Sequence, residues 1–180
     1  MKQQNFEIAI AKSNIDWVGR KVTGSHNGTI GIKKGYLSIT DGKLTGGKLI
    51  IDTTSIKIID VTDPALNRQF AGHLASDDFF SSSQYPEAVY EITAVHNNHI
   101  DGNLTIKGIT QPVGFDADIK INGNSLTASG LIKVDRTKYE MKFRSGNFFQ
   151  NLGDTLIYND FELTVNITAV ASVSEALANA

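Results

Sequence analysis

Polar and apolar residues alternate along most of this 180-residue chain. A period of two residues is the period of a β-strand, whose side chains point in turn to opposite faces of a sheet. One run has an apolar residue at every second position, at Val113, Phe115, Ala117, Ile119 and Ile121. Another has them at Phe161, Leu163, Val165, Ile167 and Ala169. The pattern predicts about eight strands, each with one buried face and one solvated face.

Short turn motifs separate these runs. Asp41-Gly42, Asn97-Asn98 and Asn122-Gly123-Asn124 are residue types that favour tight turns between antiparallel strands. A further turn is predicted at Lys33-Lys34-Gly35, and a strand is expected from about Lys43 to Thr53. The chain is therefore predicted to be an antiparallel meander.

Two observations favour a closed barrel over a two-layer sandwich, although periodicity alone does not separate them. Several strands are long, and a barrel removes their exposed edges. Gly102 and Gly130 fall in mid-strand, where glycine often marks a bend or a bulge. We predict one barrel domain over residues 1–170 and a short C-terminal tail over residues 171–180.

The segment from Asp63 to Phe80 departs from the alternating pattern. Asp63 is a suitable N-cap and Pro64 suits the first helical position. Leu66, Phe70 and Leu74 are four residues apart and share one helical face. Aromatic residues are frequent in and beside this segment and again near Phe143. The sequence thus predicts a helical cap with an apolar underside at one end of the barrel.

Composition excludes several classes of function. The chain has no cysteine, which removes disulfides, thiolate catalysis and cysteine-ligated metals. Its net charge of −2 gives no basic field for nucleic acid. No apolar run reaches the roughly 18 residues that span a bilayer. No signal peptide is recognised at the N-terminus, so we expect a cytoplasmic protein as the chain stands, or a periplasmic one if a leader was removed.

Candidate catalytic and metal-binding residues are few. The histidines lack the spacing of a metal motif, no serine lies in a Gly-x-Ser-x-Gly elbow, and there is no phosphate-binding glycine loop. We therefore predict no catalytic residue, no metal and no cofactor. His26 and His73 are expected to hydrogen-bond to the backbone at the barrel rim. Arg136 either forms an ion pair with a loop carboxylate or holds an anionic head group at a pocket mouth.

A set of motifs resembles the YceI-like family of lipocalin-like proteins, whose studied members bind polyisoprenoids or related lipids. The strongest is His73-Leu74-x-Ser76-x-Asp78-Phe79-Phe80 with Tyr85-Pro86. The others are Ser13-x-x-x-Trp17, Gly24-Ser25-His26-Asn27-Gly28, Gly46-Gly47, Ile51-Asp52, Ser55-Ile56, the run from Gly102 to Val113, and Asp135-Arg136. The resemblance implies a mainly β fold: an extended eight-stranded antiparallel barrel with a short helical cap and an interior lipid pocket. It also implies that the chain can form a homodimer.

We expect an apolar lipid, of polyisoprenoid or fatty-acyl type, to be bound and carried or stored in the barrel. Small residues in predicted inward positions are expected to open the channel: Ala94, Gly102, Ala117, Ala128 and Gly130. The predicted pocket lining is Trp17, Phe70, Leu74, Phe79, Phe80, Ile92, Leu104, Phe115, Ile132, Phe143, Phe148 and Phe161, with His26, His73 and Arg136 as polar head-group contacts. Two alternatives stay open: an enzyme acting on an apolar substrate in the same cavity, and an interaction module with a filled core.

Overall fold

The structure is a computed structural model that describes residues 3–22, 24–145 and 157–171. Its described elements are mainly strands, with one α-helix, α1 (Pro64–Ala75), and 3₁₀ turns at Ile10–Lys12 and Arg136–Tyr139. The strands are β1 (Gln3–Ile8), β2 (Asn14–Lys21), β3 (Gly24–Thr40), β4 (Lys43–Ile58), β5 (Glu87–His96), β6 (His99–Ile106), β7 (Ile109–Asn122), β8 (Ser125–Asp135) and β9 (Ile157–Ala171). The prediction of a mainly β chain with a short helix is confirmed.

The sheet closes into an antiparallel barrel. Its strand order is β1-β3-β2-β9-β8-β7-β6-β5-β4, and β4 pairs back to β3. Strands β1 and β2 both lie between β3 and β9. Strand β2 pairs with the first part of β3 and of β9, whereas β1 pairs with the end of β3 and the end of β9. The 3₁₀ turn at Ile10–Lys12 separates them. The nine strands therefore fill eight positions, which confirms the predicted eight-stranded barrel.

The predicted turn at Lys33-Lys34-Gly35 is wrong. Strand β3 continues through it, and the pairing with β4 shifts between Ile32 and Lys34, which marks a bulge or local irregularity. Gly35 suits this point because a Cβ there would lie 2.6 Å from Ile8 Cδ1 and 2.7 Å from the Lys48 carbonyl oxygen. Asp41 and Gly42 do form the hairpin turn, with φ of 53° and 81°.

The inward position predicted for Ala94 is also wrong. The pairing of β5 with β6 shifts between Ile92 and Ala94, so Ala94 lies opposite Asp101. When one strand contains an extra residue, the position whose side chain points inward moves along that strand by one residue. Val95, which lies opposite the buried Ile100, packs against the core instead.

Two aromatic rings occupy the space over the mid-strand glycines. A Cβ on Gly102 would lie 2.5 Å from Tyr90 Cζ, and one on Gly130 would lie 2.8 Å from Phe115 Cδ2. The two ring centroids are 6.1 Å apart, and the Tyr90 hydroxyl donates to the Val113 carbonyl at 2.7 Å. These glycines therefore make room for side chains of the barrel itself. The prediction that they open a channel is wrong.

Helix α1 begins as predicted. The Asp63 carboxylate accepts hydrogen bonds from the backbone N–H groups of Ala65 and Leu66, and Pro64 occupies the first turn. No residue of the helix is buried. At the other end of the chain, Ala171 still pairs with Phe6, and the rest of the predicted tail lies outside the described residues.

Candidate ligand-binding site

A cavity of about 720 Å³, here called the main cavity, lies where α1 and the loop after it face the ends of β2, β3, β4 and β9. Most of its wall is apolar or aromatic. The predicted site residues that line it are Trp17, His26, Phe70, His73, Leu74, Phe79, Phe80, Arg136, Phe143 and Phe161. The structure thus brings together residues that are far apart in the sequence. Whether they contact a ligand stays a prediction.

The other predicted lining residues lie elsewhere in the barrel. Ile92, Leu104, Phe115 and Ile132 surround a small void of about 80 Å³ that α1 does not line. Leu163 lines both spaces. The interior predicted as one long pocket is therefore divided into a large and a small part. The remaining predicted residue, Phe148, lies outside the described residues.

The apolar face of α1 covers the main cavity without being buried by protein. Leu66, Phe70 and Leu74 all line the cavity. Leu66 is 56% exposed, while Phe70 and Leu74 are half-buried. An apolar helical face normally packs against a core, because burial contributes about 25 cal/mol per Å². Here much of that surface faces unfilled space.

Aromatic rings and two arginines form a continuous row along one wall. The Arg136 guanidinium lies 5.9 Å from the centre of the Phe79 ring, and the Arg144 guanidinium lies 4.9 Å from the centre of the Phe143 ring. The two phenylalanine rings meet edge to face at 6.0 Å. His73 packs edge to face on both, at 5.1 and 4.7 Å. We call Arg136, Phe79, Phe143 and Arg144 the arginine–aromatic row.

Arg136 is 3% exposed and donates to three backbone carbonyls. Its Nε bonds Tyr158 O at 3.0 Å, one terminal nitrogen bonds Met141 O at 2.5 Å, and the other bonds Ile157 O at 2.9 Å. Within the described ranges, no carboxylate forms an ion pair with it. Burial lowers the pKa of Arg136, and the charge of Asp135 opposes this in part. The expected ion pair is thus replaced by carbonyl contacts among the described residues.

The two histidines of the main cavity are each held by a carboxylate, and not by the backbone groups that were expected. His26 Nδ1 lies 2.8 Å from Asp60, and His73 Nε2 lies 3.0 Å from Asp78. Burial alone would raise the pKa of Asp60, but the Asn27 backbone N–H and the His26 ring outweigh it and lower the value. His26 also packs edge to face on Phe70 at 4.7 Å. The histidines therefore fix the rim against α1 and the loop that follows it.

Sequence reasoning missed several lining residues, among them Ile30, Ile56, Met141, Arg144 and Leu163. Leu163 had a usable signal, because it shares the alternating face of β9 with Phe161. Arg144 had none. It reaches the cavity because the chain turns there with φ of 50°, and Ile157 donates to its carbonyl at 2.8 Å.

The described ranges contain no group of three His, Cys, Asp or Glu residues arranged to hold a metal ion. His99, the histidine with most carboxylate neighbours, divides its two ring nitrogens between Asp116 and Asp101 at 2.8 and 3.0 Å. No helix in the described part of the chain is long and apolar enough to cross a membrane.

Fold and cavity together define a closed antiparallel barrel with a capped apolar interior. A sequence model of the YceI-like domain matches residues 6–169. The chain belongs to the YceI-like family.

Proteins of similar sequence or structure occur in bacteria. A UPF0312 protein of Staphylococcus aureus is 35% identical over 39% of this chain and 46% of its own length. The match thus spans about half of that relative. Burkholderia cenocepacia BcnA superposes with a TM-score of 0.67 at 19% identity, covering 91% of this chain and 99% of its own. A polyisoprenoid binding domain from Saccharophagus degradans, implicated in plant cell wall breakdown, superposes with a TM-score of 0.70 at 11% identity. The superposition covers 93% of this chain and 98% of that domain. Both structures show the fold alone.

Proposed function

We propose that this protein binds an apolar lipid, of polyisoprenoid or fatty-acyl type, in the main cavity and carries or stores it. The observation that carries the proposal is a cavity of about 720 Å³ beneath the unburied apolar face of α1. Ligand pockets of small molecules are commonly about 300–1,000 Å³ and mostly apolar. The structural similarity to a domain described as polyisoprenoid binding supports the same ligand class.

Binding without turnover is part of the proposal. Each buried methylene group contributes about 0.8 kcal/mol, so a long chain gains enough to exceed the cost of association without any catalytic group. The polar candidates for an enzyme are His26, His73 and Arg136. An enzymatic role would require turnover that Ala replacement of His26, His73 or Arg136 abolishes while ligand binding survives.

The first experiment is solvent extraction of the purified protein followed by mass spectrometry of the extract. Delipidated protein is then titrated with decanol, dodecanol and tetradecanol, and binding is followed by displacement of a lipophilic fluorophore. We expect a lipid in the extract and a tighter Kd at each two-carbon step, by up to about 15-fold, until the cavity is full. Protein that is repeatedly empty and also binds none of the alcohols would contradict the proposal.

A matched pair of variants locates the binding. Leu74→Gln places an amide in the wall of the main cavity, where it has no partner when a hydrocarbon fills the space. Leu131→Gln makes the same change at a side chain that is 50% exposed on β8. We expect at least about tenfold weaker dodecanol binding in the first and no change in the second. Equal effects would place the ligand elsewhere. The homodimer implied by the family stays a prediction, to be tested by light scattering.

A further inference from the structure

The charged residues that line the main cavity are mostly cations. Arg20, Lys21, Arg136 and Arg144 line it, and Asp160 is the carboxylate among its described lining residues. The whole chain, in contrast, has 17 basic and 19 acidic residues. The excess of positive charge is thus a local property of this cavity.

Not all of these cations are equally available. Arg20 lies 2.9 Å from Glu162, so its charge is already paired. Arg144 is exposed at the rim, and its guanidinium rests on the Phe143 ring. The carboxylates of Asp60 and Asp78 are held by His26 and His73. Lys21 is likewise exposed at the rim. Of the positive charges open to a ligand, those of Arg136 and Arg144 belong to the arginine–aromatic row.

Of the four cations, Arg136 is the one that is buried, so its charge has the greatest need of a partner. A guanidinium has five N–H donors, and the three hydrogen bonds to carbonyls leave two without an acceptor among the described residues. The carbonyls bind the group but do not neutralise it. A buried cation is stable when an opposite charge and further hydrogen bonds accompany it. A phosphate or carboxylate oxygen supplies both, and arginine binds such groups with two parallel hydrogen bonds.

The arginine–aromatic row places these cations beside the apolar part of the cavity. Phe79 and Phe143 lie between the two arginines and face the same cavity as Leu74 on α1. A ligand that fills the space beneath α1 with its tail thus has its polar end within the field of two guanidinium groups. In a low-dielectric wall such a field is less screened than at an open surface.

We infer that the ligand of the main cavity is an amphiphile with an anionic head, a phosphate or a carboxylate, held by Arg136 and Arg144. This inference rests on the proposed lipid binding and adds the chemical class of the ligand. Charge on the head gives the protein a means to reject neutral lipids of equal length.

The test compares ligands that share one tail. Dodecyl phosphate, dodecanoate and dodecan-1-ol are titrated into delipidated protein by fluorophore displacement, with inorganic phosphate as a fourth ligand. We expect at least one of the two anions to bind about tenfold or more tightly than the alcohol, and high salt to weaken the anion alone. The tighter anion identifies the head group. Inorganic phosphate binding as tightly as dodecyl phosphate would overturn the inference in favour of a simple anion site.

Variants then assign the preference to residues. Arg144→Gln removes the exposed cation and is expected to weaken anion binding by up to about fivefold. Arg136→Lys keeps the charge but loses the planar donor fork, and a loss of about tenfold or more is expected. Dodecanol binding should stay within about twofold in both. Because Arg136 also ties three carbonyls together, each variant is first checked for unfolding behaviour, and Arg144→Gln carries the test if Arg136→Lys is unfolded.

Arg68→Gln is the matched control, since Arg68 is an exposed cation of α1 that does not line the cavity. It should leave every Kd unchanged. Wild-type protein that binds dodecanol as tightly as both anions would overturn the inference and leave lipid binding intact, and so would anion binding that is unaffected by the arginine variants. Protein that binds none of the four ligands would instead overturn the proposed function.

Discussion

Replacing Gly102 with alanine should destabilise the barrel, because two groups already occupy the place of the new methyl group. An ideal Cβ would lie 2.5 Å from Tyr90 Cζ, 2.6 Å from the Tyr90 hydroxyl oxygen and 2.6 Å from the Glu91 carbonyl oxygen. Ordinary contacts are about 3.5–4.0 Å. The Tyr90 ring must therefore move by roughly 1 Å, and its 2.7 Å hydrogen bond to the Val113 carbonyl is strained or lost.

The size of the effect follows from three contributions. Overpacking costs about 1–3 kcal/mol, and loss of the hydrogen bond costs about 0.5–1.5 kcal/mol. Alanine restricts the unfolded chain and returns about 0.4–1 kcal/mol. The net loss in the free energy of unfolding is about 2 kcal/mol, within a range of about 0.5–4. The void of about 80 Å³ beside Tyr90 lets the ring move, but the Glu91 carbonyl is backbone and cannot easily give way.

Urea unfolding followed by circular dichroism measures this change, and Gly46→Ala is the control. Gly46 also lies in a strand, but its ideal Cβ would meet only Ser38 Cβ within 4 Å, at 3.9 Å. We expect Gly46→Ala to leave stability unchanged or to raise it by up to about 1 kcal/mol. In the double variant Gly102→Ala with Tyr90→Leu, part of the stability loss caused by Gly102→Ala should disappear. A double-mutant cycle measures this part as a coupling energy. Equal midpoints for the two glycine variants would refute the argument that Gly102 seats the ring.

Three further predictions concern other parts of the molecule. The hydrogen bond to Asp116, together with the charge of the nearby Asp101, raises the pKa of His99 above 6.5. The stability that His99 contributes is therefore present below pH 6.5 and is lost as the pH rises through the raised pKa. When the free energy of unfolding is measured against pH, His99→Asn should abolish this contribution. Burial raises the pKa of Tyr139 from 10.0 to about 12, so stability should fall between pH 10 and 12, less so in Tyr139→Phe; an equal fall in both proteins would contradict this. Amide exchange in α1 (Pro64–Ala75) should slow when dodecyl phosphate or dodecanol fills the main cavity, whereas unchanged exchange would place the lipid away from the helix.

Strand faces were predictable because burial on one side of a sheet imposes a period of two. The apolar face of β9 from Phe161 to Ala169 is read directly from the sequence, and so is the capped start of α1 at Asp63. Bulges broke the prediction. Near Lys33 the apolar positions change from Ile30 and Ile32 to Leu37 and Ile39, which is compatible with a turn or with a bulge. Beyond Thr93, Ala94 and Val95 are both apolar, so the pattern does not show which of them points inward.

The contents of the barrel were less predictable than its wall. A glycine in mid-strand is compatible with an open channel or with a neighbouring ring, and only the position of Tyr90 across the sheet decides between them. The partners of Arg136 were equally hidden, because they are carbonyls of Met141, Ile157 and Tyr158 rather than side chains. The aromatic residues near the helix were predicted as a group, since a cluster of large apolar residues outside the strands is evident in the sequence.

The two parts of the barrel interior use their aromatic side chains differently. Away from α1, Tyr90 and Phe115 fill the interior against Gly102 and Gly130, and little space remains. Beneath α1, aromatic rings line a large cavity, and none of the residues of the helix is buried. Apolar surface that the fold leaves uncovered contributes nothing to folding but contributes to binding when a hydrocarbon covers it. One part of the interior is therefore packed by the protein's own side chains, whereas the proposed lipid would complete the packing of the other.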